Sequence, residues 1–216
     1  MRDRYRVLYR GGEGETVEKK SRFIATIRPV ESEEEAAAFI AMMKKQYWDA
    51  SHNCSAFTVG EDNEVTRCSD DGEPAQTAGR PMLDVLLGEE IHNVCAVVTR
   101  YFGGTLLGTG GLVRAYSQAV KEGLNQCVVL EKILAEKLVI KTDYSDLGKI
   151  QYILGEQKIT ILDSDYSDSV AVTVLAPVSE ADGLKKKLTE GTAGRCRTEL
   201  LDKVYYGENG KEIVIL

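Results

Sequence analysis

No part of the chain restricts its architecture more than a glycine-rich junction between a predicted strand and a predicted helix. The segment from Arg100 to Val120 reads RYFGGTLLGTGGLVRAYSQAV and places five glycines within nine residues. An apolar run containing VCAVV precedes it, and a helical pattern from about Leu112 to Asn125 follows it. Glycine is needed where the backbone takes a positive φ or where another group approaches closely. The junction therefore predicts a strand, a loop shaped by glycine, and a helix.

The same junction is a candidate anion site. A helix that starts behind such a loop presents unpaired N–H groups and the positive end of its dipole. Two arginines flank the loop, and either guanidinium suits a phosphate or carboxylate. The sequence does not match the known phosphate-binding loops: GxxxxGK[ST] is absent, and GTGGLV lacks the last glycine of GxGxxG. Two alternatives therefore stay open. The glycines could serve tight strand–helix packing with the arginines paired to carboxylates, or the loop could form a protein-binding surface. The predicted anion or nucleic-acid set is Arg100, Gly103, Gly104, Gly108, Thr109, Gly110, Gly111 and Arg114.

An acidic turn forms a second candidate. In CSDDGEPAQTAGRP, Asp70, Asp71 and Glu73 precede a predicted helix that has Pro74 near its first position and runs through Leu87. Capping and turn chemistry explain carboxylates at such a place. The alternatives are that these acids hold Mg²⁺ through water or pair with Arg100.

His52 and Cys54 form a third candidate, because residues two apart on a strand share one face. A thiolate–imidazole pair or a metal site requires that arrangement. Cys68, on the strand predicted to pair with this one in a hairpin, is the candidate third ligand of a metal. The spacings of structural zinc sites are missing, so a hydrogen-bonded histidine is the alternative. We expect no metal and no cofactor.

Charge and composition limit the class of partner. The formal charge is −7, so any contact with nucleic acid has to be local. The one basic run, Lys185, Lys186 and Lys187, lies on a predicted helix, where a solvated face is the alternative to a binding role. The five cysteines include no CxxC pair, which indicates reduced thiols. With neither a membrane-length apolar run nor a signal-like N-terminus, we expect a cytoplasmic protein with no membrane partner.

The predicted elements change character along the chain, which indicates an α+β protein of two domains, 1–132 and 133–216. The first half mixes strands and helices, with GGEGE as a turn. The second half follows the β-α-β-β-α-β order of a split ferredoxin-like domain. The predicted segments of the first half are 5–9, 21–28, 32–46, 53–59, 64–68 and 91–102, and those of the second half are 135–142, 146–157, 158–163, 170–176, 179–189 and 197–206.

Four motifs together resemble the YigZ/Impact family: SRFIATI, DASHNCSAF, SDDGEPAQTAGRPML and VVTRYFGGTLLGTGGLVRAYS, in this order between Ser21 and Gly123. The resemblance implies a first domain like the second domain of a small-subunit ribosomal protein. It implies a second domain similar to the last domain of elongation factor G. The family pattern falls on Arg100, Tyr101, Phe102, Gly103, Gly104, Gly108, Gly110 and Gly111, and on Asp70, Asp71, Gly72, Glu73, Pro74 and Thr77.

The resemblance also implies a function. Eukaryotic members restrain the starvation kinase that phosphorylates an initiation factor, and bacterial members look translation- or stress-linked. No catalytic triad or nucleophile elbow can be assembled, which favours a binding protein over an enzyme. The chain is therefore expected to be a regulatory protein that contacts RNA, the ribosome or a translation factor through the glycine loop. A Mg²⁺-dependent enzyme that binds nucleotide or phosphate and a pure protein-interaction module are the alternatives.

Overall fold

The computed structural model describes residues 2–210 and 212–216 and divides into two compact α+β units. The N-terminal unit spans Tyr5–Glu131, and the C-terminal unit spans Lys132–Leu216 together with residues 2–4. In the described part of the chain, no helix is both long and apolar enough to cross a bilayer.

The N-terminal unit is built on an antiparallel sheet. Its elements in chain order are β1 (Arg4–Arg10), β2 (Gly12–Glu18), β3 (Ser21–Pro29), α1 (Glu33–Gln46), β4 (His52–Val59), β5 (Val65–Ser69), α2 (Gly79–Gly88), β6 (Ile91–His92), β7 (Val94–Tyr101) and α3 (Thr109–Asn125). Five strands form the sheet in the order β2-β3-β7-β4-β5. Strand β1 pairs in parallel with the short β6.

The central strand β7 is buried on both faces, which explains its unbroken apolar run. Val94, Ala96 and Val98 belong to the core that includes residues of α2 and α3. Cys95 and Val97 point the other way, into a smaller core with residues of α1. Because side chains alternate along a strand, one strand supplies both cores.

Strand β2 corrects the sequence prediction for GGEGE. This segment is predicted as a turn, but Gly12–Glu18 pairs with β3 along its whole length. A Cβ on Gly12 would lie 2.6 Å from the carbonyl carbon of Gln126, and one on Gly14 would lie 2.5 Å from that of Glu122. The glycines therefore let the backbone of α3 cross the strand closely.

The helix starts of the N-terminal unit are partly as predicted. Ser32 Oγ accepts a hydrogen bond from Glu35 N at 3.2 Å, which confirms Ser32 as the N-cap of α1. The second helix is present through Leu87 as predicted, but its predicted start near Pro74 is wrong, because α2 begins at Gly79. Helix α3 begins at Thr109, three residues before the predicted start.

The C-terminal unit has the order strand, helix, strand, strand, helix, strand, followed by one further strand. Its elements are β8 (Val128–Thr142), α4 (Tyr144–Glu156), β9 (Thr160–Tyr166), β10 (Val170–Pro177), α5 (Val178–Gly191), β11 (Arg197–Asn209) and β12 (Glu212–Ile215). The strands lie in the order β9-β10-β8-β11-β12, with antiparallel neighbours. Helices α4 and α5 bury Ile150, Leu154 and Leu184 against Leu138 and Ile140 of β8. Strand β12 lies outside the elements predicted from the sequence.

Candidate functional site

The glycine loop, residues 102–108, joins β7 to α3 and is fixed to the hairpin of β2 and β3. A Cβ on Gly103 would lie 2.0 Å from the carbonyl carbon of Lys20, so only glycine fits there. Gly103 N donates to Ser21 Oγ at 3.2 Å. Gly104 and Gly108 take φ of 83° and 72°, a region that side chains disfavour. The predicted need for glycine is confirmed at these positions.

Helix α3 starts without a cap from its own chain. Its N-cap is Gly108, no side-chain hydrogen bond caps the first turn within the part of the chain that the structure describes, and that turn contains no acidic residue. Leu112 N donates to Gly108 O at 2.9 Å, which leaves the preceding amides at the open end of the helix. The positive end of the helix is therefore not neutralised by an acid of its own first turn or N-cap.

A hollow of about 460 Å³ lies beside this helix start. Two of its apolar side chains are exposed, Phe102 by 48% and Leu106 by 83%. The residues that line it are His52, Gly72, Glu73, Pro74, Arg100, Phe102, Leu106, Leu107, Gly108, Thr109 and Leu112. The structure thus brings members of all three predicted candidate groups to one place.

A buried ion pair forms one wall of the hollow. Arg100 Nη1 donates to Glu73 Oε1 at 2.5 Å, and both side chains are almost fully buried. Arg100 Nη2 is 3.3 Å from Ser21 Oγ, and the guanidinium carbon lies 5.3 Å and 5.5 Å from the ring centres of Phe23 and Phe102. Among the described residues, Arg100 Nε has no hydrogen-bond acceptor. Arg100 therefore pairs with Glu73, the arrangement anticipated as one alternative for the acidic turn.

Glu73 is the centre of a wider buried network. Tyr116 Oη donates to Glu73 Oε1 at 2.8 Å, and burial raises the pKa of Tyr116, so its hydroxyl keeps its proton. His52 Nε2 lies 3.9 Å from Glu73 Oε2. His52 Nδ1 lies 2.9 Å from the carbonyl oxygen of Asp71, so we assign the ring proton to Nδ1. Sequence reasoning missed Tyr116, whose signal was its place in the apolar stripe of α3.

Cys54 does not have the properties of a nucleophile. Its Sγ lies 3.0 Å from the carbonyl oxygen of Asp70 and 3.3 Å from Tyr116 Oη. Burial raises its pKa to about 12. In the described residues no group of three or more His, Cys, Asp or Glu side chains is arranged to hold a metal ion. The pair His52 and Cys54 is thus joined to the acidic turn by hydrogen bonds.

We expect iodoacetamide at pH 8 to modify Cys68 well before Cys54. Cys68 is exposed, whereas Cys54 and Cys95 are buried and have pKa values raised by burial to about 12. A thiol with that pKa is ionised to only about one part in ten thousand at pH 8. Mass spectrometry of timed samples measures the order, and a urea-unfolded sample is the control in which all sites react. Rapid labelling of Cys54 in the folded protein would contradict the assignment.

The carboxylates of the acidic turn form hydrogen bonds with groups of the same chain. Asp70 accepts hydrogen bonds from the backbone N–H groups of Gln76, Ala78 and Gly79 at 2.8 to 3.0 Å. Burial raises the pKa of Asp70, but these three donors together outweigh it and hold the pKa below its ordinary value. Asp70 therefore organises the entry into α2, which is the capping role set out above.

Asp71 and Thr77 are also engaged. Asp71 Oδ1 accepts from Lys44 Nζ at 2.5 Å, and Oδ2 accepts from Asn53 N at 2.6 Å. Thr77 Oγ1 donates to Pro74 O at 2.6 Å. These contacts fix the turn to β4 and to α1, and they use the oxygens that a cation would need.

The other basic side chains of the predicted binding set lie outside the hollow that contains Arg100. Arg114 is exposed on α3, and a Cβ on Gly110 would lie 3.6 Å from its Nη1, so its guanidinium lies over the first turn. It lines a depression other than the hollow of Arg100. In the C-terminal unit each lysine of the basic run has an acid within 4.0 Å: Lys185 has Glu136, Lys186 has Glu190 and Lys187 has Glu156.

The fold and the site define a two-unit α+β protein in which a glycine loop and an uncapped helix start adjoin a buried Arg–Glu pair. The family model of the Impact N-terminal domain matches residues 19–124, and that of a domain of unknown function, DUF1949, matches residues 140–195. The IMPACT family member YvyE of Bacillus subtilis is 44% identical over 88% of this chain and 88% of its own length.

A second relative and a solved structure agree with this. The IMPACT family member YigZ of Escherichia coli is 38% identical over 82% of this chain and 87% of its own length. A crystal structure described as that of a hypothetical protein has a TM-score of 0.60 at 33% identity, covering 94% of this chain and 99% of the other. The chain therefore belongs to the IMPACT family, which confirms the resemblance drawn from the motifs.

Proposed function

We propose that this chain is a translation- or stress-linked regulatory binding protein that contacts ribosomal RNA, or a component bound to the ribosome, through its glycine-loop face. That face consists of the glycine loop, the first turn of α3 and Arg114. Membership of the IMPACT family supports the link to translation, because the eukaryotic members it resembles act on translational control. A binding role needs an accessible surface, and Phe102, Leu106 and Arg114 on this face are exposed.

The proposal extends to the two domains, 1–132 and 133–216. We assign the first to the fold of the second domain of a small-subunit ribosomal protein. We assign the second to the split ferredoxin-like fold of the last domain of elongation factor G. The strand order β9-β10-β8-β11 and the two helices on one face support the second assignment.

The open start of α3 is the observation that carries the proposal. The protein has a formal charge of −7, yet no carboxylate of the first turn or the N-cap neutralises this helix end. Arg114 lies over the same turn, and none of the described residues forms an ion pair with it. A phosphate oxygen at this point would gain hydrogen bonds from helix amides and a nearby guanidinium.

Two alternatives are judged against the same contacts. The carboxylates of Asp70, Asp71 and Glu73 already bind backbone amides, a lysine and an arginine, so the acidic turn offers no support for a Mg²⁺-dependent enzyme. A protein partner is favoured by one observation, the exposure of Phe102 and Leu106 beside the hollow. Such a complex would survive high salt and nuclease treatment, whereas an RNA contact would not.

We expect Arg114→Ala to weaken binding to purified ribosomes and to lower its dependence on salt. Loss of one phosphate contact reduces the slope of log affinity against log salt by about 1. Cosedimentation at several potassium chloride concentrations measures both quantities. Arg80→Ala is the matched control, because Arg80 is exposed on α2 and paired with Asp84 at 2.8 Å. Equal binding by wild type and Arg114→Ala, or none by either, would remove the proposal.

A further inference from the structure

The hairpin between β2 and β3 ends in a turn that is unusual in its residues. Glu18 pairs with Ser21, so the loop consists of Lys19 and Lys20 alone. Both have positive φ, 45° and 69°. Positive φ at both central positions marks a type I′ turn, in which Asn-Gly is strongly preferred. Lysine has neither the freedom of glycine nor the short polar side chain of asparagine, so both lysines occupy strained positions.

This turn is held against the glycine loop. Gly103 packs on the backbone of Lys20 so closely that a Cβ would lie 2.1 Å from the Lys20 carbonyl oxygen. The neighbouring Ser21 accepts a hydrogen bond from Gly103 N. The position of the two lysines relative to the glycine loop is therefore fixed by backbone contacts.

The same hairpin faces α3 across a depression of about 490 Å³. Residues Thr16, Val17 and Glu18 line one side, and Arg114 and Lys121 are among those that line the other. Glu18 is the one acid among the lining residues, and it leads directly into Lys19 and Lys20. We call Lys19, Lys20, Arg114 and Lys121 the basic strip.

The basic strip lacks carboxylate partners. Within residues 2–210 and 212–216, none of its four side chains forms an ion pair, and Lys19, Lys20 and Arg114 are exposed. Lys186 and Lys187 are equally adjacent and exposed, but each has an acid at 4.0 Å. The hairpin turn and the facing side of α3 therefore carry four basic side chains against the single carboxylate of Glu18, which makes this surface locally positive on an acidic protein.

We propose that the basic strip binds the phosphate backbone of RNA, with the Lys19–Lys20 turn making contacts that add to those of Arg114. The inference rests on the proposed function and names its ligand chemistry. Glycines in the intervening loop let a sugar–phosphate chain approach closely. The ring of Phe102 is 48% exposed in the same loop, where an unpaired base can stack on it. Local phosphate contacts account for RNA binding by a protein whose overall charge repels RNA.

The test removes the two charges while improving the turn. Lys19→Asn with Lys20→Gly gives the residues that a type I′ turn prefers, so the folded state keeps its hairpin. We expect the dissociation constant for fluorescein-labelled ribosomal RNA, measured by anisotropy with the full chain, to rise roughly tenfold at moderate salt. We expect the log–log salt slope to fall by about 1.5 in magnitude for two lost contacts. The Tm should not fall.

Two control variants separate charge from structure. Lys186→Ala with Lys187→Ala removes the same charge from paired lysines and should bind like the wild type. Lys19→Arg with Lys20→Arg keeps the charge at the turn and should bind within about twofold of the wild type.

The outcomes distinguish the inference from the proposed function. If the wild type shows no salt-dependent binding to ribosomal RNA, both fail. If Arg114→Ala weakens binding but the Asn-Gly variant binds like the wild type, the Lys19–Lys20 contact alone is wrong. If the Lys186/Lys187 variant loses as much affinity as the Asn-Gly variant, general charge explains the effect and the inference is also overturned.

Discussion

Glu73→Gln is expected to lower the free energy of unfolding by about 3–5 kcal/mol, because it leaves the buried Arg100 charge without its carboxylate. The two side chains are 3% and 6% exposed, so water cannot compensate for the loss. Glu73 also accepts the hydrogen bond of Tyr116, and a neutral amide is a weaker acceptor. Urea unfolding followed by far-UV circular dichroism measures the change.

Glu15→Gln is the matched control for this prediction. Glu15 pairs with Arg22 at 2.8 Å, but both side chains are about half exposed. An ion pair in such a place contributes little to stability, because water solvates both charges whether or not they are paired. If Glu73→Gln costs no more than Glu15→Gln, the Arg100–Glu73 pair does not stabilise the wall of the hollow.

Gly103→Ala should destabilise the protein by about 1–3 kcal/mol, because the new methyl group would meet backbone atoms instead of a flexible side chain. The nearest atoms would be the carbonyl carbon and oxygen of Lys20, at 2.0 Å and 2.1 Å. That backbone belongs to a hydrogen-bonded hairpin, so the loop and the hairpin must separate to make room. The shift in Tm measures the cost.

The control for Gly103→Ala is Gly88→Ala. Gly88 is the last residue of α2, and a Cβ there meets nothing within 4 Å. Alanine is favoured over glycine in helices by roughly 0.5–1 kcal/mol, so this variant should be neutral or slightly more stable. Equal effects of the two substitutions would show that the contact between Gly103 and Lys20 is not needed.

The sequence predicted those elements whose signals are local. Ser32 and Glu35 identified the start of α1, and the apolar run of β7 identified a buried strand. The hairpin of β4 and β5 and the glycine requirement after β7 were also readable from neighbouring residues. Hydrophobic periodicity and turn chemistry depend on residues that are close in sequence, so both can be recognised from the sequence alone.

The features that were missed depend on contacts between distant residues. GGEGE has the composition of a turn, and only the crossing of α3 at Glu122 and Gln126 gives its glycines a place in a strand. Pro74 suggested a helix start. In the structure, Asp70 accepts hydrogen bonds from backbone amides further along the chain, and the helix begins at Gly79. The positive φ of Lys19 and Lys20 runs against the preference of lysine, so no propensity rule would find that turn.

The anchoring of the glycine loop has a consequence for the kinetics of recognition. One end of the loop continues from a strand that is buried on both faces, the other enters a long helix, and Gly103, near the start of the loop, rests on the hairpin. A partner arriving at this face would meet a docking platform that loses little freedom on complex formation. We therefore expect the encounter rate of such a partner to be set by diffusion and electrostatic steering.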